Sequence, residues 1–274
     1  MKFNVKTFLA FTALSTALFS CQKQDKAPVN TASEIPADVI NQIKAQGFST
    51  DGIIVSNGGY VVEGDIFLSK EALNSTVSIG SILRVGDEEQ YHTTNLIKNL
   101  PRTITISVQG LDAIWTQATD IAVSRYNALN MRLKFQRVSS GGNIVVTGAD
   151  LGTGGILGQS SGFPTTAGNP ATPITINNHP GTFGSNPSVN WLATIVAHEV
   201  GHTVGFRHTD YKNRTFSCGL TIPWNEGDAG VGAIWIPGTP TGPKDPGSWM
   251  LACTDGSNRP FNPNDIIALN FLYK

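Results

Sequence analysis

Cysteine is scarce in this 274-residue chain, with only 3 in all, so a dense disulfide framework is excluded and the fold must rest on a hydrophobic core. Charge is scarce too. With 14% charged residues and a formal net charge of -1, there is no basic field of the kind a nucleic-acid partner needs. The apolar run from Thr7 to Phe19 is too short for a good membrane span. No internal repeat is evident, which argues against a solenoid. Methionine and histidine are also few, at 3 and 5 residues. Any ordered placement of them therefore carries information.

What is plentiful is Gly, Ser, Thr, Asn and Pro, a loop-rich composition common in exported proteins. The start of the chain points the same way, since Lys2 and Lys6 sit beside the short apolar run in the manner of a signal peptide spanning residues 1–20. Leu18-Phe19-Ser20-Cys21 resembles the bacterial lipoprotein box, in which cleavage before the cysteine leaves Cys21 to carry lipid. The polar stretch 21–34 then reads as a tether. The expected location is the cell envelope, with membrane contact through the lipid anchor alone. Lipidation of Cys21 leaves Cys218 and Cys253 in a compartment that permits disulfides; a bridge between them and a pair of free thiols both remain open.

The chemistry is concentrated in His198-Glu199-Val200-Gly201-His202-Thr203-Val204-Gly205-Phe206-Arg207-His208. On a helix, His198 and His202 project from one face and can share one metal ion, with Glu199 beside it. His208 cannot join them from the same straight helix. Gly205 supplies the left-handed turn that ends the helix and brings His208 back. Histidine pairs at this spacing also arise by accident, but the five fixed identities of HExxHxxGxxH would appear in fewer than roughly one shuffled chain in 10⁵. Three imidazoles suit Zn²⁺ and leave its fourth position open for chemistry.

The extended motif is that of the metzincin zinc peptidases, and Pro246-Gly247-Ser248-Trp249-Met250 is similar to their methionine turn, with Met250 as an apolar floor beneath the imidazoles. More narrowly, His198 to His202, Arg207-His208-Thr209-Asp210 and Ile236-Pro237-Gly238-Thr239-Pro240 resemble the bacterial dual-action HEIGH metallopeptidases, with Val200 for the usual isoleucine. The resemblance runs from about Tyr60 to Lys274. It implies an α/β (α+β) zincin with a twisted, mostly parallel sheet, an active-site helix and a zinc-dependent endopeptidase activity on protein or peptide substrates. Zinc would polarise the scissile carbonyl, and Glu199 would act as general base toward the attacking water. Some relatives place a tyrosine two residues after the turn methionine; here that residue is Ala252, so no oxyanion-stabilising tyrosine carries over.

Periodicity fits that architecture. Ile35 to Phe48 is a short amphipathic helix, Arg102 to Gln109 a half-buried strand, and Ala113 to Leu129 a helix capped by Asp112. Leu133 to Val138, Asn143 to Thr147 and Pro173 to Asn177 are further strands. A long helix starts near Pro187, and Asn262 or Asn264 with Asp265 caps a final helix. By the resemblance, an antiparallel edge strand near Ile156 to Phe163 would bind substrate, with a plain surface loop as the alternative. Residues 35–99 are expected to form a pro-like region and 100–274 a monomeric catalytic domain. Within the former, Tyr60 to Leu68 resembles the Gly-Asp element of astacin-type propeptides, making Asp65 a candidate latency switch, or only the turn before a strand. Arg207 and Asp210 follow the motif on what reads as an exposed turn, solvated or locally hydrogen-bonded, with Asp210 a candidate to accept from a ligand histidine or a nearby backbone amide, while His92 and His179 have no motif around them. Asp150, Asp228, Asp245 and Asp255 show no calcium-loop spacing. A zincin surface lipoprotein used for adhesion is the competing function; an intact Glu199 argues against it, because a binding module needs no general base.

Overall fold

In chain order the elements are α1 (Ala37–Ala45), β1 (Ile54–Ser56), β2 (Gly59–Val62), β3 (Ile66–Ser69), α2 (Lys70–Leu73), β4 (Tyr91–His92), β5 (Arg102–Gln109), α3 (Ala113–Ala128), β6 (Leu133–Arg137), β7 (Ile144–Ala149), β8 (Gly158–Ser160), β9 (Ile174–Asn177), α4 (Val189–Thr203), α5 (Thr215–Cys218), β10 (Ile234–Trp235) and α6 (Pro263–Tyr273). The computed structural model describes residues 35–46, 48–74, 90–219, 225–227, 231–241 and 245–274. The signal segment 1–20, the tether 21–34 with Cys21, and Asp228 lie outside the described residues.

Alternation in Arg102–Gln109 turns Ile104 and Ile106 into the core, and β5 lies inside the parallel part of the sheet. It pairs in parallel with β6 on one side and β7 on the other, and β7 pairs in parallel with β9. Parallel neighbours need a crossover, and α3 supplies it between β5 and β6. The strand β8 turns back antiparallel to β9. Among the described residues eight strands thus form one sheet in the order β1-β2-β3-β8-β9-β7-β5-β6. The fold is mixed α/β with a mostly parallel sheet, as expected.

The helix α4 is apolar nearly all round, with Leu192, Ala193, Val196, Ala197 and Val200 fully buried. Such a helix belongs inside a protein. It packs against α3, where the hydroxyl of Tyr126 donates to the carbonyl of Ala197 at 2.8 Å. This helix bears the histidine pair, so the site is anchored in the main core.

The N-terminal segment is built separately. Ile35, Ile43, Phe48, Ile53, Tyr60, Val62, Ile66, Leu68 and Leu73 form their own small apolar cluster, apart from the main core that begins at Ile97. Its meander β1-β2-β3 is antiparallel, and β3 joins the large sheet by pairing in parallel with β8 through Ile66 and Ser160. The predicted edge strand does form, but β3 covers its outer side.

Residues 90–93 behave differently from this segment. Here β4 pairs with β10, the carbonyl of Tyr91 accepts from the Arg207 amide at 2.9 Å, and the Thr93 amide donates to Gly205 at 2.8 Å. The side chain of Gln90 reaches Ser248 Oγ at 3.1 Å and Asp265 Oδ1 at 2.7 Å. Asp265 also closes the capping box of α6 with Asn262, which settles the choice between Asn262 and Asn264 for the cap. Asp112 occupies the cap position of α3 without a side-chain capping bond.

Replacing Asp265 by Ala removes both the capping box and the buried acceptor for Gln90 and Ser248, so Asp265→Ala is expected to lower unfolding free energy by about 2–4 kcal/mol. A urea unfolding midpoint equal to wild type would show that these bonds add nothing net.

Candidate metal centre

The helix α4 stops because Gly205 stands at φ 109°, and two bonds close the end: the Gly205 amide donates to His202 O at 2.9 Å and the Phe206 amide to Gly201 O at 2.9 Å. This paired 5→2 and 6→1 arrangement is the Schellman motif. The backbone there is one that residues with a Cβ seldom adopt, and a side chain would also have to displace Leu96, whose Cδ2 would stand 2.7 Å from it, so glycine is strongly favoured. The reversal returns His208 to the face shared by His198 and His202, as the sequence predicts.

The three rings converge through Nε2. The His202 nitrogen lies 3.1 Å from that of His198 and 3.2 Å from that of His208. Ligands of a tetrahedral zinc ion at ~2.0–2.1 Å stand about 3.3 Å apart, so these separations match a shared ion. Each Nδ1 is turned to an acceptor: Trp249 O at 2.8 Å from His198, Phe206 O at 2.9 Å from His202, and Glu226 Oε1 at 2.6 Å from His208. Those partners assign the proton to Nδ1 and leave Nε2 as a lone pair. Three lone pairs facing one another repel unless a cation lies between them, so the residues fit a metal ion.

Asp65 completes the cluster. Its Oδ2 lies 2.8 Å from His208 Nε2, 3.2 Å from His198 Nε2 and 3.5 Å from His202 Nε2. Asp65, His198, His202 and His208 are the group among the described residues able to hold a metal ion, and all four are buried. Burial alone would raise the Asp65 carboxyl, yet His208 and His202 hold it well below the usual range. Burial brings His202 down to about 4. For His208 burial works the same way, but Asp65 and Glu226 on either side outweigh it and carry the ring to about 10. Without an ion the His208 Nε2 therefore holds a second proton toward Asp65 in place of its lone pair, and a metal ion would displace that proton.

Behind His208 is a set of buried charges that the sequence reading did not anticipate. Glu226, fully buried, meets Arg214 Nε at 3.2 Å and Arg207 Nη2 at 3.4 Å as well as His208. Burial would raise its carboxyl, but His208 and Arg214 hold it down to about 2. Arg207 turns from the exposed turn residue expected of its position into a buried one, bonded to Glu63 Oε2 at 2.6 Å. Burial drives the Glu63 carboxyl up to about 7 even against the pull of Arg207. Asp210 does not reach a ligand histidine; it accepts from the Ala252 amide at 3.0 Å and Ser217 Oγ at 2.6 Å. It ties the loop after His208 to the segment after Met250.

Met250 is fully buried and lies against the histidine helix, where a Cβ on Gly201 would stand 2.5 Å from its Sδ. A glycine inside a helix costs about 1 kcal/mol relative to alanine, so the close approach explains its presence. Cys218 and Cys253 are bonded to each other, joining the same two loops as Asp210. His92 bonds Thr93 O through Nδ1, and His179 pairs with Asp150; neither approaches the centre.

Glu199 is 3% exposed, and its Oε2 has no hydrogen-bond partner. Burial pushes its carboxyl well above the usual range and the negative charge of Asp65 adds to the rise. A buried carboxylate oxygen without a donor is ready to accept a proton. It faces a cleft of about 590 Å³ lined by Leu157, Trp191, Ile195, His198, Leu251 and Arg214 among others. Gly158 of β8 is needed at this wall, since a Cβ there would stand 2.9 Å from Glu199 Oε1.

A family model described as dual-action HEIGH metallo-peptidase matches residues 60–273. No curated protein matches. Among solved structures, one of myroilysin is 14% identical, with a TM-score of 0.40, covering 65% of this chain and 96% of that one. A second, a crystal structure of myroilysin, is 16% identical with the same TM-score of 0.40, covering 66% and 86%.

The bond from His208 Nδ1 to a carboxylate orients the ring and raises its basicity. Glu226→Gln is therefore expected to weaken metal affinity by about 10–100-fold, read by competition with a chromogenic chelator. Unchanged affinity would remove Glu226 from any role behind the ligand.

Proposed function

The chain belongs to the dual-action HEIGH metallo-peptidase family, and from that premise we propose that it is a zinc-dependent endopeptidase of metzincin type, made as a latent precursor. The observation that carries the reading is the convergence of three Nε2 lone pairs with Glu199 beside them. His198, His202 and His208 hold the ion, and Met250 forms the apolar floor under them. When bound, zinc supplies Lewis acidity, polarising a carbonyl oxygen and making water acidic at neutral pH. Glu199 takes the proton of the attacking water and delivers it to the leaving amine, and its lack of a donor leaves Oε2 available for both steps. An adhesion lipoprotein would have no use for such a carboxylate. Signal cleavage and lipid on Cys21 would place the enzyme on an envelope membrane as a monomer.

Latency follows from two contacts of the N-terminal segment. Asp65 Oδ2 occupies the space between the imidazoles and the cleft. Meanwhile β3 pairs with β8, the strand to which an extended peptide would add. An oxygen ligand of this kind suits zinc and excludes the water that Glu199 must activate. Substrate and segment are mutually exclusive.

Glu199→Gln is expected to keep stoichiometric zinc by elemental assay while losing about 10²–10⁴-fold in peptide turnover; wild-type turnover would exclude it as the base. Asp65→Ala in the full-length chain should raise basal cleavage of a quenched-fluorescence peptide by about tenfold or more, since the competent fraction limits the rate. Equal latency in both chains would reject the switch.

A further inference from the structure

The segment carries a second charged group that latency through Asp65 does not explain. Glu63, 1% exposed, places Oε2 2.6 Å from Arg207 Nη2, while its own carbonyl accepts from Arg214 Nη1 at 2.7 Å. Its other oxygen accepts from the Ser49 amide at 3.4 Å. Glu63 holds φ 52° and Gly64 φ 87°, a left-handed pair that residues with a Cβ seldom adopt. Gly64 is pressed on the Arg214 guanidinium, where a Cβ would meet Nη2 at 2.9 Å. The kink sends Glu63 and Asp65 to different targets: one enters a guanidinium socket and the other faces the imidazoles.

That socket belongs to the catalytic body. Arg207 is fixed by the carbonyls of Gly227 at 2.8 Å and Gly232 at 3.3 Å, and Arg214 by Glu226. Among the described residues, Arg207 meets both carboxylates, Glu63 and Glu226, while Arg214 meets Glu226 and holds Glu63 by its main-chain carbonyl; Glu226 is shared with His208. When the segment departs, the closest carboxylate to Arg207 goes with it, because Glu226 stands at 3.4 Å against 2.6 Å for Glu63. A buried cation that loses its nearest anion is costly, and the site favours a replacement of the same charge. The socket adjoins the cleft: Arg214, Gly64 and Asp65 line it with Glu199 and His198, and Glu63, the residue before Gly64, leads from it to the buried Arg207.

We propose that Arg207 and Arg214 form an anion-binding subsite at the margin of the cleft, filled by Glu63 in the latent chain and taken by an acidic side chain of the peptide substrate after the segment has left. This rests on the peptidase reading and on release of the N-terminal segment. The socket gives the enzyme a preference for substrates with Asp or Glu near the scissile bond, and Glu63 occupies it as an internal stand-in.

Two arms test it in full-length protein. Glu63→Ala vacates the socket, and propionate is the probe: it should raise the melting temperature of that variant saturably, leave wild type unmoved, and lose its effect in Glu63→Ala/Arg214→Gln. Sodium chloride at equal ionic strength controls for screening. In the second arm, Glu63→Ala/Asp65→Ala is given a peptide library. Acidic residues should be enriched at one position by roughly tenfold to a hundredfold in kcat/KM, mainly through KM, and adding Arg214→Gln should abolish the enrichment. If Glu63→Ala does not fold, Glu63→Gln, which keeps the shape and removes the charge, carries the library arm. A propionate shift equal in all chains, or an active double variant without acidic enrichment, overturns the subsite. An Asp65→Ala chain without activity overturns the latency reading instead, and the propionate arm still reads the socket.

Discussion

Three imidazole nitrogens aimed at one point form an arrangement that no apolar packing would choose, and much of the polar geometry of this fold can be read as the means of enforcing it. Each ring is turned by its far nitrogen, and two of the three acceptors are main-chain carbonyls of Trp249 and Phe206. A carbonyl can orient a ring only if its own backbone is fixed. The Trp249 backbone is held by Asp265, which accepts its amide at 3.3 Å, and by Ser248, whose hydroxyl bonds both Asp265 and Thr209. Phe206 is held by the Schellman turn and by an antiparallel bridge to His92. Ligand orientation thus depends on a polar hub formed by residues far apart in the chain.

The third acceptor is different in kind. Glu226 is a buried carboxylate, and a buried carboxylate is tolerable only when cations accompany it. Arg207 and Arg214 supply them, and the excess positive charge is met by Glu63. One ring orientation therefore calls up a chain of charges that ends on the N-terminal segment. The segment's attachment has little apolar support in comparison, because its core is a separate small cluster that reaches the main body through Phe163 and Val231. Charged bonds and one strand pairing do much of the holding, which makes the contact specific yet separable.

Much of this was legible in sequence, and for a common reason. The ligand helix, its glycine stop, β5, α3 and the capped α6 are specified by residues close together in the chain, where periodicity and capping act over one to four residues. The Asp65 contact was reached only by resemblance, since Glu63-Gly64-Asp65 reads equally well as a turn. Arg207 was misjudged as a solvent-facing turn residue because its partners are distant in sequence, among them Glu63, 144 positions away, and the carbonyls of Gly227 and Gly232. Glu226 carries no spacing signal at all: its neighbours Asn225 and Gly227 describe a loop. Covering of the β8 edge was also invisible, because a strand shows in sequence which faces it buries but not who pairs with its edge.

Gly201 shows how a local rule broken in the sequence reports a contact made elsewhere. Inside a helix, glycine is poorer than alanine by about 1 kcal/mol, and nothing within α4 compensates. The compensation lies in Met250, whose sulfur lies only 2.5 Å from where a Cβ would stand. The same reasoning applies to Gly158, where the missing side chain leaves room for the Glu199 carboxylate against β8. Both glycines make room around the histidine cluster, one against Met250 and one against the Glu199 carboxylate. A larger residue at either position would force the Met250 side chain or the Glu199 carboxylate to shift, and a metal centre holds its geometry only while the groups supporting it stay in place.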